Sequence, residues 1–222
     1  MREKKFYLGT LMILVSYYLM LNVIMSLGIF DAVSSNVYYM IFTGVILLIG
    51  ISASWVLWGS ERGSEIRHFR FRWSYLSALL LSLFLFFLWA KVSSTIFPRS
   101  QNSQVAMEVA SELAGFAYIN VRFLLTCLVG PISEELVFRG LVMTALERYK
   151  KFYLDVLVSS CLFSLIHVLQ HGWVTTDFVL YFGMGIILGT LFRYTRSIYW
   201  SIAAHIIWNS FLVVVSILVF GY

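Results

Sequence analysis

Five stretches of this chain run without a single Asp, Glu, Lys or Arg: Phe6 to Phe30, Val37 to Trp58, Trp73 to Ala90, Val156 to Thr176 and Ser197 to Tyr222. A bilayer core asks for about 20 apolar residues per helix. In hydrocarbon, only a segment that satisfies its own backbone hydrogen bonds is tolerated. A chain so patterned is confined to the helical membrane proteins. Two weaker spans complete the set: Ala114 to about Leu146, interrupted by charge, and Phe178 to Phe192, which is short. The expectation is an all-α, polytopic bundle of about seven transmembrane helices, forming a single membrane domain over residues 1–222. Composition agrees, because 60% of the residues are hydrophobic and 12% charged, too apolar for an ordinary soluble domain.

The basic start MREKK resembles the head of a secretory signal, but the apolar stretch after it is too long and no small-residue cleavage site follows, so a retained first helix is expected. The net charge of +5 does not imply a nucleic-acid partner, because the cations sit in alternate short connections. Arg2, Lys4 and Lys5 precede the first span, Arg62, Arg67, Arg70 and Arg72 lie between the second and third, Arg148, Lys150 and Lys151 between the fourth and fifth, and Arg193 and Arg196 between the sixth and seventh. The other connections carry only Lys91 and Arg99. The positive-inside rule then gives a multi-pass cell-membrane protein with an inside amino terminus and an outside carboxyl terminus. Cys127 and Cys161 fall in apolar spans and read as small buried hydrophobes.

Between Pro98 and Gly115, Val105, Val109 and Leu113 recur at helical spacing beside Glu108 and Glu112, which predicts a short amphipathic helix at the outer interface. Gly130 and Pro131 interrupt the fourth span, and proline predicts a kink or a fresh helix start there. Directly after it, PISEELVFRG puts two carboxylates and an arginine inside an apolar segment. Glu135 and Arg139 are four apart and share a helix face, so they are expected to pair. Glu134 points about 100° away and faces another span. Its position in the first turns of the new segment also sets it near the positive end of a helix dipole.

Two other spans carry polar groups, FSLIH with His167 and HIIWN with His205 and Asn209. Ionisable groups inside a bilayer are costly and rare. At about 1.5 Å per residue, Glu134 lies roughly 18 Å from Leu146, His167 roughly 21 Å from Tyr153, and His205 and Asn209 roughly 12 and 18 Å beyond Ser197. These overlapping depths point to one shared cavity. A carboxylate and an imidazole sharing a water can remove its proton, while a second imidazole and an amide can donate to a developing oxyanion. Ser133 and Ser164 adjoin the motifs but point away from their shared faces, so water is the expected nucleophile.

EELVFR, FSLIH and HIIWN, in this order and in separate spans, resemble the EExxxR, FxxxH and HxxxN motifs of the CAAX protease and bacteriocin-processing (Abi) family. The resemblance covers about 130–209 as a family-like catalytic core. It implies an integral membrane glutamate endopeptidase. It makes Glu134 the general base with His167 helping to activate water, His205 and Asn209 the oxyanion stabilisers, and Glu135, Arg139 and Phe163 the support. The substrate it implies is a peptide or a prenylated or otherwise lipid-anchored protein, met among membrane lipids.

Other function classes stay in view. Glu134, His167 and His205 also make a three-ligand set for zinc, but no HExxH is present and Asn209 is a poor zinc ligand, so a metal-free site without cofactor is expected. The same family includes non-catalytic regulators of a membrane protein partner and bacteriocin self-immunity proteins, in which the polar cluster would only pack helices. Transport ranks last, because only one helix break is evident where transporters show paired ones. Gly183, Gly185 and Gly189 form a small-residue pattern for close helix packing. Trp58, Trp73, Tyr199 and Trp200 suit an aromatic belt, Lys91 and Arg122 can snorkel, and His68 and His171 read as interfacial.

Overall fold

A computed structural model describes residues 2–21, 35–96, 121–169 and 173–220. The interfacial helix expected around Glu108 and Glu112 lies outside these residues, as do His171 and the side chain of Arg122. Among the described residues there is no strand, and the chain is a multi-pass helical membrane protein. Its helices are α1 Arg2–Leu19, α2 Ser35–Trp58, α3 Glu61–Ile66, α4 Trp73–Ile96, α5 Val121–Leu124, α6 Gly130–Glu135, α7 Leu154–Leu169, α8 Thr175–Thr195 and α9 Ile198–Phe220. A wider π-helical segment, Leu125–Val129, joins α5 to α6, a second, Leu136–Met143, continues the same rod, and a 3-10 turn, Glu147–Phe152, follows.

Four stretches are long and apolar enough to cross a membrane by length and composition: Val37–Trp58, Trp73–Ile96, Thr175–Thr195 and Ile198–Val215. Leu154–Leu169 is a shorter apolar helix. The sixth span is therefore longer than Phe178–Phe192. Thr176, Asp177 and Thr195, which dilute its hydropathy, are buried inside the bundle and extend the helix at both ends. The fifth span is shorter than Val156–Thr176, because α8 already begins at Thr175.

Proline does not break the fourth span. Val129 and Gly130 keep right-handed helical dihedrals, and the Gly130 N–H bonds the Leu125 carbonyl five residues back. A wide turn makes room for a residue that lacks an N–H and crowds the preceding turn. Because the rod is continuous through Gly130, Glu134 does not follow a free helix start, and the expected help from a helix dipole does not arise.

Side chains from neighbouring helices meet the carbonyls of these π segments. Ser159 donates to the Phe138 carbonyl at 2.8 Å and Asn209 Nδ2 to the Thr126 carbonyl at 3.0 Å. In hydrocarbon no water can take that role. Close backbone approach seats the other partners. A Cβ on Gly185 of α8 would lie 2.8 Å from Ser160 Cβ and 2.9 Å from Ser160 Cα of α7. Gly189 meets Val156 of the same helix, whereas Gly183 faces Trp89 of α4.

The Lys/Arg-rich connections gather at one end of the bundle. Arg62 pairs with Glu3 at 2.9 Å, Arg193 with Asp155 at 3.0 Å, and Arg196 with both Glu65 at 3.1 Å and Glu147 at 2.8 Å. Arg196 adopts a left-handed conformation (φ 52°) that ends α8 and lets α9 restart at Ile198. Of the expected belt, Trp58, Trp73 and Tyr199 are exposed, but Trp200 is buried and donates to the Arg70 carbonyl at 3.2 Å.

Two outcomes follow. Gly185→Ala should lower stability by about 1–3 kcal/mol through overpacking, read as thermal unfolding in micelles, whereas Gly44→Ala, where a Cβ meets nothing within 4 Å, should not. Burial pushes the Glu147 carboxyl up, but the hydrogen bonds and charges of Arg196 and Lys150 outweigh it and hold it below its ordinary value. Its contribution to stability is thus present above the unfolded carboxylate value and lost as pH falls through the lower folded one. The unfolding midpoint of the wild type should therefore fall more than that of Glu147→Gln on acidification below about pH 4.3.

Candidate active site

Glu135 and Arg139 share one face of the α6 rod, and both side chains are 0% exposed. Arg139 Nη1 donates to Glu135 Oε1 at 2.9 Å, and Arg139 Nη2 to the Gly185 carbonyl at 3.2 Å. The guanidinium lies over the Phe163 ring, 4.7 Å from its centroid. A lone guanidinium at this depth would cost several kcal/mol; carboxylate, carbonyl and ring together offset that. The close approach that Gly185 permits between α7 and α8 is what brings its carbonyl within reach.

His205 completes the arrangement from α9. Its Nδ1 lies 3.0 Å from Glu135 Oε1, and because an ionised carboxylate can only accept, Nδ1 carries the proton. Its Nε2 then faces Glu134 Oε2 at 3.8 Å, longer than a direct hydrogen bond. Glu134 keeps 15% side-chain exposure where Glu135 keeps none. The two adjacent carboxylates thus occupy different environments, one held by Arg139 and His205, the other turned to His205 from the opposite side.

Phe163 is the hub of the remaining contacts. Its ring lies 4.7 Å from the His167 ring, 5.9 Å from His205 and 5.6 Å from Phe138, centroid to centroid. The Phe163 carbonyl, four residues before His167, sits 2.9 Å from His167 Nδ1. A carbonyl can only accept, so Nδ1 bears the proton and Nε2 is the basic nitrogen. On its other side His167 stacks on Tyr181 of α8 at 3.9 Å and 25°.

The structure therefore brings Glu134, Glu135, Arg139, Phe163, His167 and His205 together. Asn209, one turn beyond His205, has an amide N–H engaged by Thr126, a contact that ties α9 to the first π segment. Two site residues were not singled out from the sequence: Tyr181, and Tyr17 of α1, which packs on Phe138. Both lie within electrostatic reach of Glu134. Tyr181 stands near the start of its span and Tyr17 near the end of α1, as belt tyrosines do, so residue order alone does not set them apart. Among the described residues no group of three or more His, Cys, Asp or Glu is placed to hold a metal ion.

Residues 116–211 match the family model of the type II CAAX prenyl endopeptidase Rce1-like proteins. The resemblance carried by the three motifs is to this family. The chain is also 29% identical, over 119 residues, to a Bacillus subtilis (strain 168) protein named "Putative membrane peptidase YdiL". That match covers 53% of this chain and 44% of the relative, so the chain spans less than half of the relative's length. No solved structure matches the chain significantly.

Arg139→Gln should cost about 3–5 kcal/mol, because it leaves the Glu135 charge buried without its partner. The double variant E135Q/R139Q should lose less than R139Q alone. Unfolding in micelles measures both, and an R139Q variant as stable as the wild type would contradict the pair's structural role.

Proposed function

We propose that the chain is an integral membrane endopeptidase that hydrolyses a peptide bond through water activated by Glu134 and His167. The observation that carries this reading is the division of the two glutamates: Glu135 is fully buried against Arg139 and His205, while Glu134 retains exposure beside His205. Two like carboxylates one residue apart thereby acquire different tasks. Glu134 takes the proton of the attacking water, and the basic Nε2 of His167 shares in orienting it.

His205 and Asn209 serve the oxyanion. With Nδ1 already donating to Glu135, His205 can donate from Nε2 only as an imidazolium. That state also balances the cluster, two carboxylates against Arg139 and His205, which a low-dielectric site favours. Asn209 contributes the amide N–H not engaged by Thr126. A metal is not needed in this reading. Glu135 and His205 are bonded to each other, and the two carboxylates are already matched by Arg139 and the His205 imidazolium.

The substrate class is a peptide or a lipid-anchored protein, prenylated CAAX peptides among them, presented within the membrane. The amino terminus lies inside and the carboxyl terminus outside, so the end built from Arg62, Arg193 and Arg196 faces inward.

Purified protein offered a panel of prenylated CAAX peptides and small apolar peptides provides the test. Glu134→Ala and His167→Ala should each reduce hydrolysis by about 10²–10⁴-fold with normal expression, Asn209→Ala should retain measurable turnover, and strong chelation should leave the wild type active. If Glu134→Gln cells keep the full biological effect and the same membrane peptides as wild-type cells, catalysis is not the function and a regulator or immunity protein is.

A further inference from the structure

At the Lys/Arg-rich end the described ion pairs use Arg62, Arg193, Arg196 and Lys150. Glu3 is held by Arg62, Asp155 by Arg193, and Glu65 and Glu147 by Arg196, which bridges the two connections 59–72 and 144–153. Arg67, Arg70, Arg72, Arg148 and Lys151 are exposed and form no ion pair among the described residues. These five cations therefore stand exposed at this end while Glu3, Glu65, Glu147 and Asp155 are paired with other basic residues.

The same two connections interleave these cations with exposed aromatic rings, as RHFRFRW from Arg67 to Trp73 and RYKKFY from Arg148 to Tyr153. The first is a non-helical strap pinned onto the start of α9. Phe69 stacks on Trp200 at 5.6 Å, Phe71 lies 6.2 Å from the same ring, and Trp200 holds the Arg70 carbonyl. Even so, Phe69 stays 61% exposed, Phe71 53%, Trp73 76% and, in the second connection, Phe152 68%. Trp73 opens α4, a membrane-crossing helix, so the rings of the first connection stand at the boundary between hydrocarbon and headgroups.

We propose that this end is a docking surface for a leaflet of anionic phospholipid, whose phosphates are taken by Arg67, Arg70, Arg72, Arg148 and Lys151 while Phe69, Phe71 and Phe152 enter the acyl boundary. Cations alone would also suit an acidic polypeptide. Three exposed rings at the start of a membrane-crossing helix, Phe69, Phe71 and Trp73, favour the lipid, because aromatic groups settle at that boundary and basic side chains bind anionic headgroups next to it. The fixed strap means the cations are held in place before lipid arrives.

Reconstitution of the full chain in vesicles of brominated phosphatidylglycerol or brominated phosphatidylcholine reads the preference through tryptophan quenching. Each basic side chain near an anionic surface is worth about fivefold, so the wild type should favour phosphatidylglycerol several-fold at low salt and less as salt screens the charges. R67Q/R70Q/R72Q should lower the ratio most, R148Q/K151Q less, and Lys91→Gln, at the other end of α4, should leave it unchanged. Unfolding midpoints of the variants matching the wild type confirm that the change is one of binding. Equal quenching by the two lipids in the wild type, or an unaltered ratio in a well-folded triple variant, overturns the proposal. Retention of polyglutamate by the solubilised protein without any lipid preference does the same and points to an acidic polypeptide instead.

Discussion

A guanidinium and a carboxylate completely removed from solvent within an apolar bundle set the terms for everything around them. Arg139 and Glu135 are tolerable only because each makes one further hydrogen bond to a different helix, to Gly185 on α8 and His205 on α9, with the Phe163 face from α7. Each partner requires its helix at one height and one distance. The pair contributes little to raw stability, since desolvation consumes most of the attraction. What it contributes is registry, because sliding α8 or α9 by a turn would strip a buried charge of its hydrogen bond to Gly185 or His205.

That registry is also what separates Glu134 from its neighbour. Once Glu135 is drawn into the ion pair, the helical twist carries Glu134 to the adjacent face, toward His205 Nε2 and within electrostatic reach of Tyr17 and Tyr181. The π-helical segments on either side alter the winding of this rod without interrupting it. They leave carbonyls that Ser159 and Asn209 satisfy, so the same irregularity that accommodates Pro131 also fastens α7 and α9 to the site.

Much of this was legible from residue order, for definite reasons. Charge-free stretches locate the helices because the bilayer imposes a length, and the four-residue offset between Glu135 and Arg139 is a local property of any helix. Glu134, His167 and His205 could be assigned to one depth because three spans had ends marked by charge. What stayed hidden depends on contacts between helices. Hydropathy undervalued α8, whose Asp177 and threonines are polar but inward. Pro131 read as a break because nothing local announces a π turn. Trp200 resembled a belt residue, yet the strap around Arg70 covers it. Tyr181 was passed over because its meaning lies in the His167 ring it stacks on, one helix away.

The most direct measurement compares two isosteric changes at neighbouring positions, Glu134→Gln and Glu135→Gln, each followed by unfolding midpoint and by turnover of the same peptide. The account predicts a dissociation: the first variant unfolds like the wild type but is inactive, and the second is destabilised by several degrees. A Glu134→Gln protein with normal turnover, or one that loses stability while Glu135→Gln does not, would contradict it.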